Sequence, residues 1–156
     1  MSERCPSPPA LERFFTYRLN TLAKLNDMAT HAVYLAEVGL GLSEARTLSS
    51  IGSFPQLTVN QLAFEANLDK GQASRAAQSL VDKGLVQKVA SPLDGRSVFL
   101  VLTPRGRTLW RKVMVLVERR NRALTSCLSE DEYHQLLDMF ERMLAQAKAA
   151  HRPEKA

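Results

Sequence analysis

Between residues 70 and 88 the chain concentrates side chains that donate hydrogen bonds and bind anions. They are Lys70, Gln72, Ser74, Arg75, Gln78 and Lys88. Lysine and arginine contact phosphates and the edge of guanine, and a glutamine amide matches the edge of adenine. Gly71 lies among them and has no side chain, so the backbone can approach a partner closely there. These residue types predict a surface that binds a polyanion.

A helix must present most of these side chains. Asp69 is suited to cap its N-terminus, and Gln72 stands three residues later, as in a capping box. An apolar face recurs at helical spacing, formed by Ala73, Ala76, Ala77, Leu80 and Val81. Gly84 stands where a residue in the left-handed region ends a helix. The polar side chains fall largely off the apolar face, so we expect them to be exposed.

A β-hairpin should follow this helix at once. Residues 85–90 and 97–102 are rich in apolar and β-branched side chains, and Pro92 and Asp94-Gly95 mark a turn between them. The turn places Arg96 at the tip. Thr103 and Pro104 then open another helix as its cap and first residue. A polar-faced helix followed by a basic-tipped hairpin is the plan of a winged helix-turn-helix.

The remaining segments predict four helices besides the polar-faced helix and the one that Pro104 opens. Ser43 is expected to cap one over about 44–51, Thr58 with Gln61 to cap the next, and residues 67–69 to turn into the polar-faced helix. Long helices with apolar stripes are expected over about 10–37, 104–125 and after Ser129. We therefore predict a mainly α fold with a small β-hairpin wing, and dimerisation through the long helices at both ends.

Charge is unevenly distributed along the 156 residues. The net charge is +5, but residues 70–112 hold nine Lys and Arg and only two acidic residues, a local charge of +7 that leaves −2 for the rest. Such a basic segment favours a nucleic-acid partner. The alternative is an ordinary solvated face.

Three runs of sequence resemble the MarR family of bacterial and archaeal transcription regulators. They are LGLSEAR (40–46), LTVNQLAFEANLDKGQASRAAQSLVDKGLV (57–86) and DGRSVFLVLTPRG (94–106). The Asp-x-Arg at the hairpin tip, followed by Thr103 and Gly106, is the most specific part. Gly71, Ala76 and Ala77 are smaller than the residues usual at those positions in the family.

The resemblance implies a homodimer that binds an inverted-repeat operator in double-stranded DNA, usually as a repressor. Its expected organisation is an arm (1–9), a dimerisation region (10–37 and 107–150), a winged helix-turn-helix (40–106) and a tail (151–156). In the family's arrangement Arg96 enters a minor groove and Asp94 holds it by a charge-assisted hydrogen bond. The DNA-contacting set is thus completed by Asp94 and Arg96.

Release by a small ligand, often an aromatic acid, is also implied by the resemblance. Polar residues on the first two helices are the candidates for binding it: Arg18, Asn20, His31, Tyr34 and Arg46. An arginine there can pair with a carboxylate; ordinary hydrogen bonding between helices is the alternative for each residue. Redox sensing is disfavoured, because Leu19 holds the position of the family's reactive cysteine and Cys5 and Cys127 lie elsewhere.

The sequence gives little support for an enzyme or a metal-binding protein. The three histidines are scattered, and the sequence has neither clustered metal ligands nor the HExxH, GxSxG or phosphate-binding glycine motifs of enzymes. We therefore expect no cofactor, metal or catalytic residue. A winged helix that binds protein instead of DNA is the main alternative. The first ten residues lack the apolar run of a signal peptide and no segment reaches membrane-span length, so we expect a cytoplasmic protein.

Overall fold

The computed structural model describes residues 9–91 and 95–151. Within these ranges it contains six helices and one two-stranded antiparallel sheet, and a short 3₁₀ turn (Leu11–Arg13) precedes the first helix. In chain order the elements are α1 (Phe15–Val38), α2 (Leu42–Ser53), α3 (Val59–Glu65), α4 (Lys70–Asp82), β1 (Val86–Ala90), β2 (Val98–Leu102), α5 (Pro104–Thr125) and α6 (Glu130–Ala150). The predicted mainly α fold with a small hairpin wing is confirmed.

The chain divides into two compact units, and the boundary lies within α5, between Val117 and Glu118. The first unit has an apolar core to which α2, α3, α4, β2 and α5 each contribute an almost inaccessible side chain. These are Leu48, Leu62, Leu80, Leu100 and Val113. In the second unit, the Asn121 amide donates to the Tyr133 hydroxyl across 3.2 Å and joins the end of α5 to α6.

Both predicted capping boxes form, and Ser129 makes a third. Thr58, Asp69 and Ser129 each accept a hydrogen bond from the backbone N–H three residues later, and the side chain of that later residue bonds back to the cap. Each box satisfies N–H groups that have no partner inside the helix. The starts of α3, α4 and α6 are therefore set by local sequence.

The predicted start of α1 at residue 10 is wrong. Phe14 is extended (φ −76°, ψ 137°), so the helical hydrogen-bond ladder begins only at Phe15. The Arg18 guanidinium donates to the Glu12 carbonyl across 2.9 Å and satisfies one acceptor left by this break.

The predicted cap of α2 is also wrong. Gly41, not Ser43, is the N-cap residue, and α2 extends from Leu42 to Ser53. The reason is that the Glu44 carboxylate accepts the Gly41 N–H at 3.1 Å. This hydrogen bond gives the first turn of the helix a partner and places the N-cap two residues before Ser43.

The hairpin is joined closely to the helices on either side. β1 and β2 pair in register from Val86 with Leu102 to Ala90 with Val98, and the Leu100 N–H also donates to the Leu57 carbonyl at 3.0 Å. Thr103 accepts the Gly106 N–H at 3.0 Å and so caps α5 as predicted. The wing is therefore fixed at its base to the start of α3 and to α5.

Candidate nucleic-acid interface

The polar-faced helix, α4, buries the face predicted for it. Ala73, Ala76, Ala77 and Leu80 are buried, and α4 packs on α2 and α3 through them. The side chains predicted to contact DNA lie on the opposite, exposed face: Lys70, Gln72, Ser74, Arg75 and Gln78. Because alanines need little space, the packed face stays close to its neighbours while the polar face points outward.

Side-chain hydrogen bonds hold the first turn of α4 in place. The Gln72 N–H donates to Asp69 Oδ1 at 2.7 Å, and Gln72 Oε1 accepts the Asp69 N–H at 3.2 Å. A Cβ added to Gly71 would lie 3.2 Å from Nη1 of Arg75, so the guanidinium folds back over the glycine. The space over Gly71, which we expected to admit a partner, thus holds Arg75 in this structure.

A polar chain connects α4 to the wing. Lys88 Nζ on β1 donates to Gln78 Oε1 at 2.9 Å, and Gln78 Nε2 donates to Asp82 Oδ1 at 2.8 Å. The structure thus brings together two of the predicted contact residues, Gln78 and Lys88. An ammonium group has three donors, so Lys88 keeps donors for a phosphate.

The described part of the wing closes with a hydrogen bond from the Ser91 N–H to the Ser97 carbonyl at 2.8 Å. Arg96 lies next to this closure and is exposed. Asp94, its proposed partner, lies outside the described residues. The described part of the wing therefore exposes a guanidinium next to its turn, and Lys88 lies on the first strand of the same hairpin.

A carboxylate on α2 forms a network that the sequence did not predict. Glu44 Oε1 accepts from Ser79 Oγ at 2.6 Å and from Lys83 Nζ at 2.5 Å, both at the C-terminal end of α4. Burial raises the pKa of Glu44. Hydrogen bonds from Lys83, Ser79 and the Gly41 N–H, together with the lysine charge, lower this pKa by more than burial raises it, so the pKa lies below its usual value. Lys83 is thus paired within the protein.

The five predicted effector residues do not lie together. Arg18 and His31 both lie on α1, thirteen residues apart, which is about 20 Å at 1.5 Å per residue. Asn20 lies beside the first of them and is exposed. A small ligand on one chain could not contact both ends of this set.

Three of the candidates, His31 among them, lie near the junction of α1 and α2, where they contact protein. Arg46 Nη2 forms an ion pair with Asp27 Oδ1 at 2.5 Å, and His31 Nδ1 accepts the Leu42 N–H at 3.4 Å. Tyr34 is buried in the core. This junction therefore contains the interhelical bonds that we had considered as the alternative to ligand binding.

Neither a metal-binding cluster nor a membrane-spanning helix is found in the part of the chain that is described. No three His, Cys, Asp or Glu side chains there are grouped to hold a metal ion. None of the helices in those ranges combines the length and apolar content of a membrane span. Cys127 is exposed and unpaired, whereas Cys5 lies outside the described residues.

Comparison with known proteins relates this geometry to a family. A sequence model of the MarR family matches residues 38–97, from the end of α1 to the wing. The HTH-type transcriptional regulator BilQ of Clostridium symbiosum is 27% identical over 117 residues, which cover 75% of this chain and 81% of BilQ. The chain is therefore similar to the MarR family. Its fold is that of a winged helix, and the proteins it resembles are transcriptional regulators rather than enzymes.

Two further comparisons extend this likeness. The HTH-type transcriptional repressor Rv2887 of Mycobacterium tuberculosis is 28% identical over 109 residues, covering 70% of this chain and 78% of that protein. The crystal structure of a MarR/EmrR family regulator from Acinetobacter sp. ADP1 superimposes with a TM-score of 0.81 at 23% identity, covering 90% of this chain and 99% of that one. This second likeness shows that the MarR fold extends beyond the matched segment.

Proposed function

We propose that this protein binds an inverted-repeat operator in double-stranded DNA as a homodimer and represses transcription until a small effector releases it. The observation that carries the proposal is the exposed polar face of α4, which is bonded to the wing through Gln78 and Lys88, within a segment of local charge +7. A major groove admits one α-helix, and a basic surface gains affinity by releasing counterions from DNA.

We propose a DNA contact for each of the exposed polar side chains of α4 and the wing. The N-terminal half of α4 would enter the major groove, where Lys70, Gln72 and Arg75 can pair with base edges and Ser74 can bond either base or phosphate. Gln78 and Lys88 would contact phosphate as one unit, because they are already bonded to each other. Arg96 would enter the adjacent minor groove, held by Asp94.

A second copy of the chain is the proposed partner of the long helices. On α1, Phe15, Leu19 and Leu22 recur at helical spacing and are 50%, 37% and 47% exposed. On α6, Leu137, Met143 and Leu144 are likewise exposed. Apolar surface of this extent favours an interface. Two copies related by a twofold axis would place their α4 helices about one duplex turn, roughly 34 Å, apart.

Repression, rather than activation, is proposed because one of the relatives is named a repressor. A protein that blocks transcription has to be where the chromosome is, so we propose a cytoplasmic location. The dimerisation region over 10–37 and 107–150 and the DNA-binding region over 40–106 keep their proposed boundaries.

An aromatic carboxylate is the proposed effector, and the junction of α1 and α2 is its proposed site. Arg46 there is bonded to a single carboxylate oxygen of Asp27. A ligand carboxylate could take the place of Asp27, and His31 and Tyr34 lie on the same stretch of α1. Arg18 and Asn20 lie too far along α1 to contact the same ligand within one chain, so a site that included them would need the second copy.

Selection of bound sequences from a pool of random duplexes tests the proposed operator. We expect an enriched inverted repeat whose half-sites are centred about one helical turn apart. Enrichment of a single unpaired half-site would contradict the dimeric proposal. Recovery of no sequence by a folded dimer would contradict DNA binding and favour a module that binds protein.

A further inference from the structure

We infer that Glu44 is a positioning residue for DNA recognition: it fixes the orientation of α4 toward the groove, although it lies on α2 and is not among the proposed DNA contacts. The inference rests on the proposed DNA binding. It starts from one carboxylate that bonds the N-terminus of its own helix and two side chains of α4.

The geometry of the network ties two helices together at two points. One oxygen of Glu44, Oε2, holds the Gly41 N–H, and the other, Oε1, accepts from Ser79 and Lys83. Ser79 and Lys83 are four residues apart, so they lie on the same face of α4, one turn after the other. The Glu44 side chain is only 17% exposed, which limits competition from water.

Small side chains make up most of the face that α4 packs on α2 and α3. Ala73, Ala76 and Ala77 are buried there beside Leu80, and a methyl group specifies the rotation of a helix less than a long side chain does. An open groove of about 390 Å³ runs beside this contact and is lined by Ser43, Glu44, Gln72, Arg75, Ala76 and Ser79. Directional hydrogen bonds at the edge of that groove therefore add an orientation to the packed contact.

A small change of orientation matters at the far end of α4. Lys70 lies nine residues before Ser79, about 13 Å along the helix axis. A tilt of about 5° around Ser79 would move the N-terminal turn by about 1 Å, which is enough to lengthen a hydrogen bond to a base edge beyond its useful range. Contacts to phosphate tolerate such a shift better, because a lysine or arginine side chain can follow the phosphate.

Removing the Glu44 charge separates positioning from simple electrostatics. If Glu44 only repels DNA, Glu44→Gln should tighten binding to every duplex, and the released Lys83 should add to this. If Glu44 positions α4, the same change should weaken binding to the operator alone. Glu65→Gln, which removes an exposed negative charge from α3, is the matched control.

The experiment measures the affinity of each full-length variant for the selected operator and for a random duplex of equal length, across a salt series. We expect Glu44→Gln to weaken operator binding about tenfold while the random-duplex affinity and the salt slope stay within error, and Glu65→Gln to leave the operator preference unchanged. Tighter binding of both duplexes, or an unchanged operator affinity, would overturn the inference.

If Glu44→Gln folds poorly, Ser79→Ala provides a second test, because it removes the hydrogen bond that Ser79 donates to Glu44. We expect a weaker operator preference in Ser79→Ala and no additional loss in the double variant Glu44→Gln/Ser79→Ala, since both act through one network. Full operator affinity in Ser79→Ala, or fully additive losses, would contradict the network. If the wild type itself shows no operator preference, the proposed function fails first, and this inference fails with it.

Discussion

At Gly106 the backbone of α5 lies against Leu85, the residue that precedes β1. A Cβ placed on it would lie 1.8 Å from the Leu85 carbonyl oxygen, a backbone atom that cannot move aside alone. The Leu85 carbonyl also accepts the Thr103 N–H at 3.0 Å, so any shift would disturb the base of the wing. The glycine is therefore required by close approach.

We predict that Gly106→Ala lowers the free energy of unfolding by about 3 kcal/mol, the upper range for forcing extra volume into a packed site. Gly95→Ala is the control, because a Cβ there meets nothing within 4 Å. Urea denaturation followed by circular dichroism measures both. Equal midpoints for the two variants would contradict the described contact.

At the scale of elements, α2 and α4 are joined by an ionised group. The pKa of Glu44 lies below its usual value of 4.5 in the folded protein, so the ionised carboxylate stabilises the fold. That contribution is complete above the ordinary glutamate pKa and is lost as the pH falls through the lower pKa of the folded state. Glutamine cannot titrate and lacks this dependence.

We predict that Glu44→Gln is about 1–2 kcal/mol less stable than the wild type at neutral pH, the usual cost of losing a hydrogen-bonded charge. The difference should shrink as the pH falls below 4.5. Chemical denaturation of both proteins from pH 7 down to acid conditions measures it. A difference that stayed constant over this range would show that the carboxylate is not the stabilising group.

The elements were predictable where their signals are local. Asp69 with Gln72 and Thr58 with Gln61 cap helices through residues three apart, and Asn67 turns between α3 and α4 with a positive φ of 52°. The cap of α2 was not predictable in the same way. Glycine carries no capping side chain to recognise, and the carboxylate that replaces one belongs to the third residue of the helix.

The candidate site was predictable in part for a related reason. Helical spacing was enough to separate the exposed Lys70 and Arg75 from the buried Ala73. Nothing in that spacing reveals that Lys83 pairs with a residue 39 positions earlier, or that Arg46 pairs with Asp27. Such partners depend on how helices cross, which the periodicity of each helix does not encode.

On the scale of the whole molecule, the proposed function requires a dimer. We predict that wild type sediments at twice the 17.4 kDa chain mass, and that Leu22→Glu shifts it toward one chain because a charge in an apolar interface loses its hydration. Val89→Glu, on the wing, should remain dimeric, although Val89 is similarly exposed. A monomeric wild type, or a dimer unaffected by Leu22→Glu, would contradict the proposed interface.

The most direct measurement is fluorescence anisotropy of the dimer on DNA from upstream of its own gene, across a salt series. We predict a Kd of about 10 nM or tighter near physiological salt that weakens steeply as salt rises. Arg75→Ala and Arg96→Ala should each weaken binding about tenfold or more, whereas Arg142→Ala, which removes an arginine from α6, should not. Equal affinity for random DNA, or full affinity in both Arg75→Ala and Arg96→Ala, would contradict recognition by α4 and the wing.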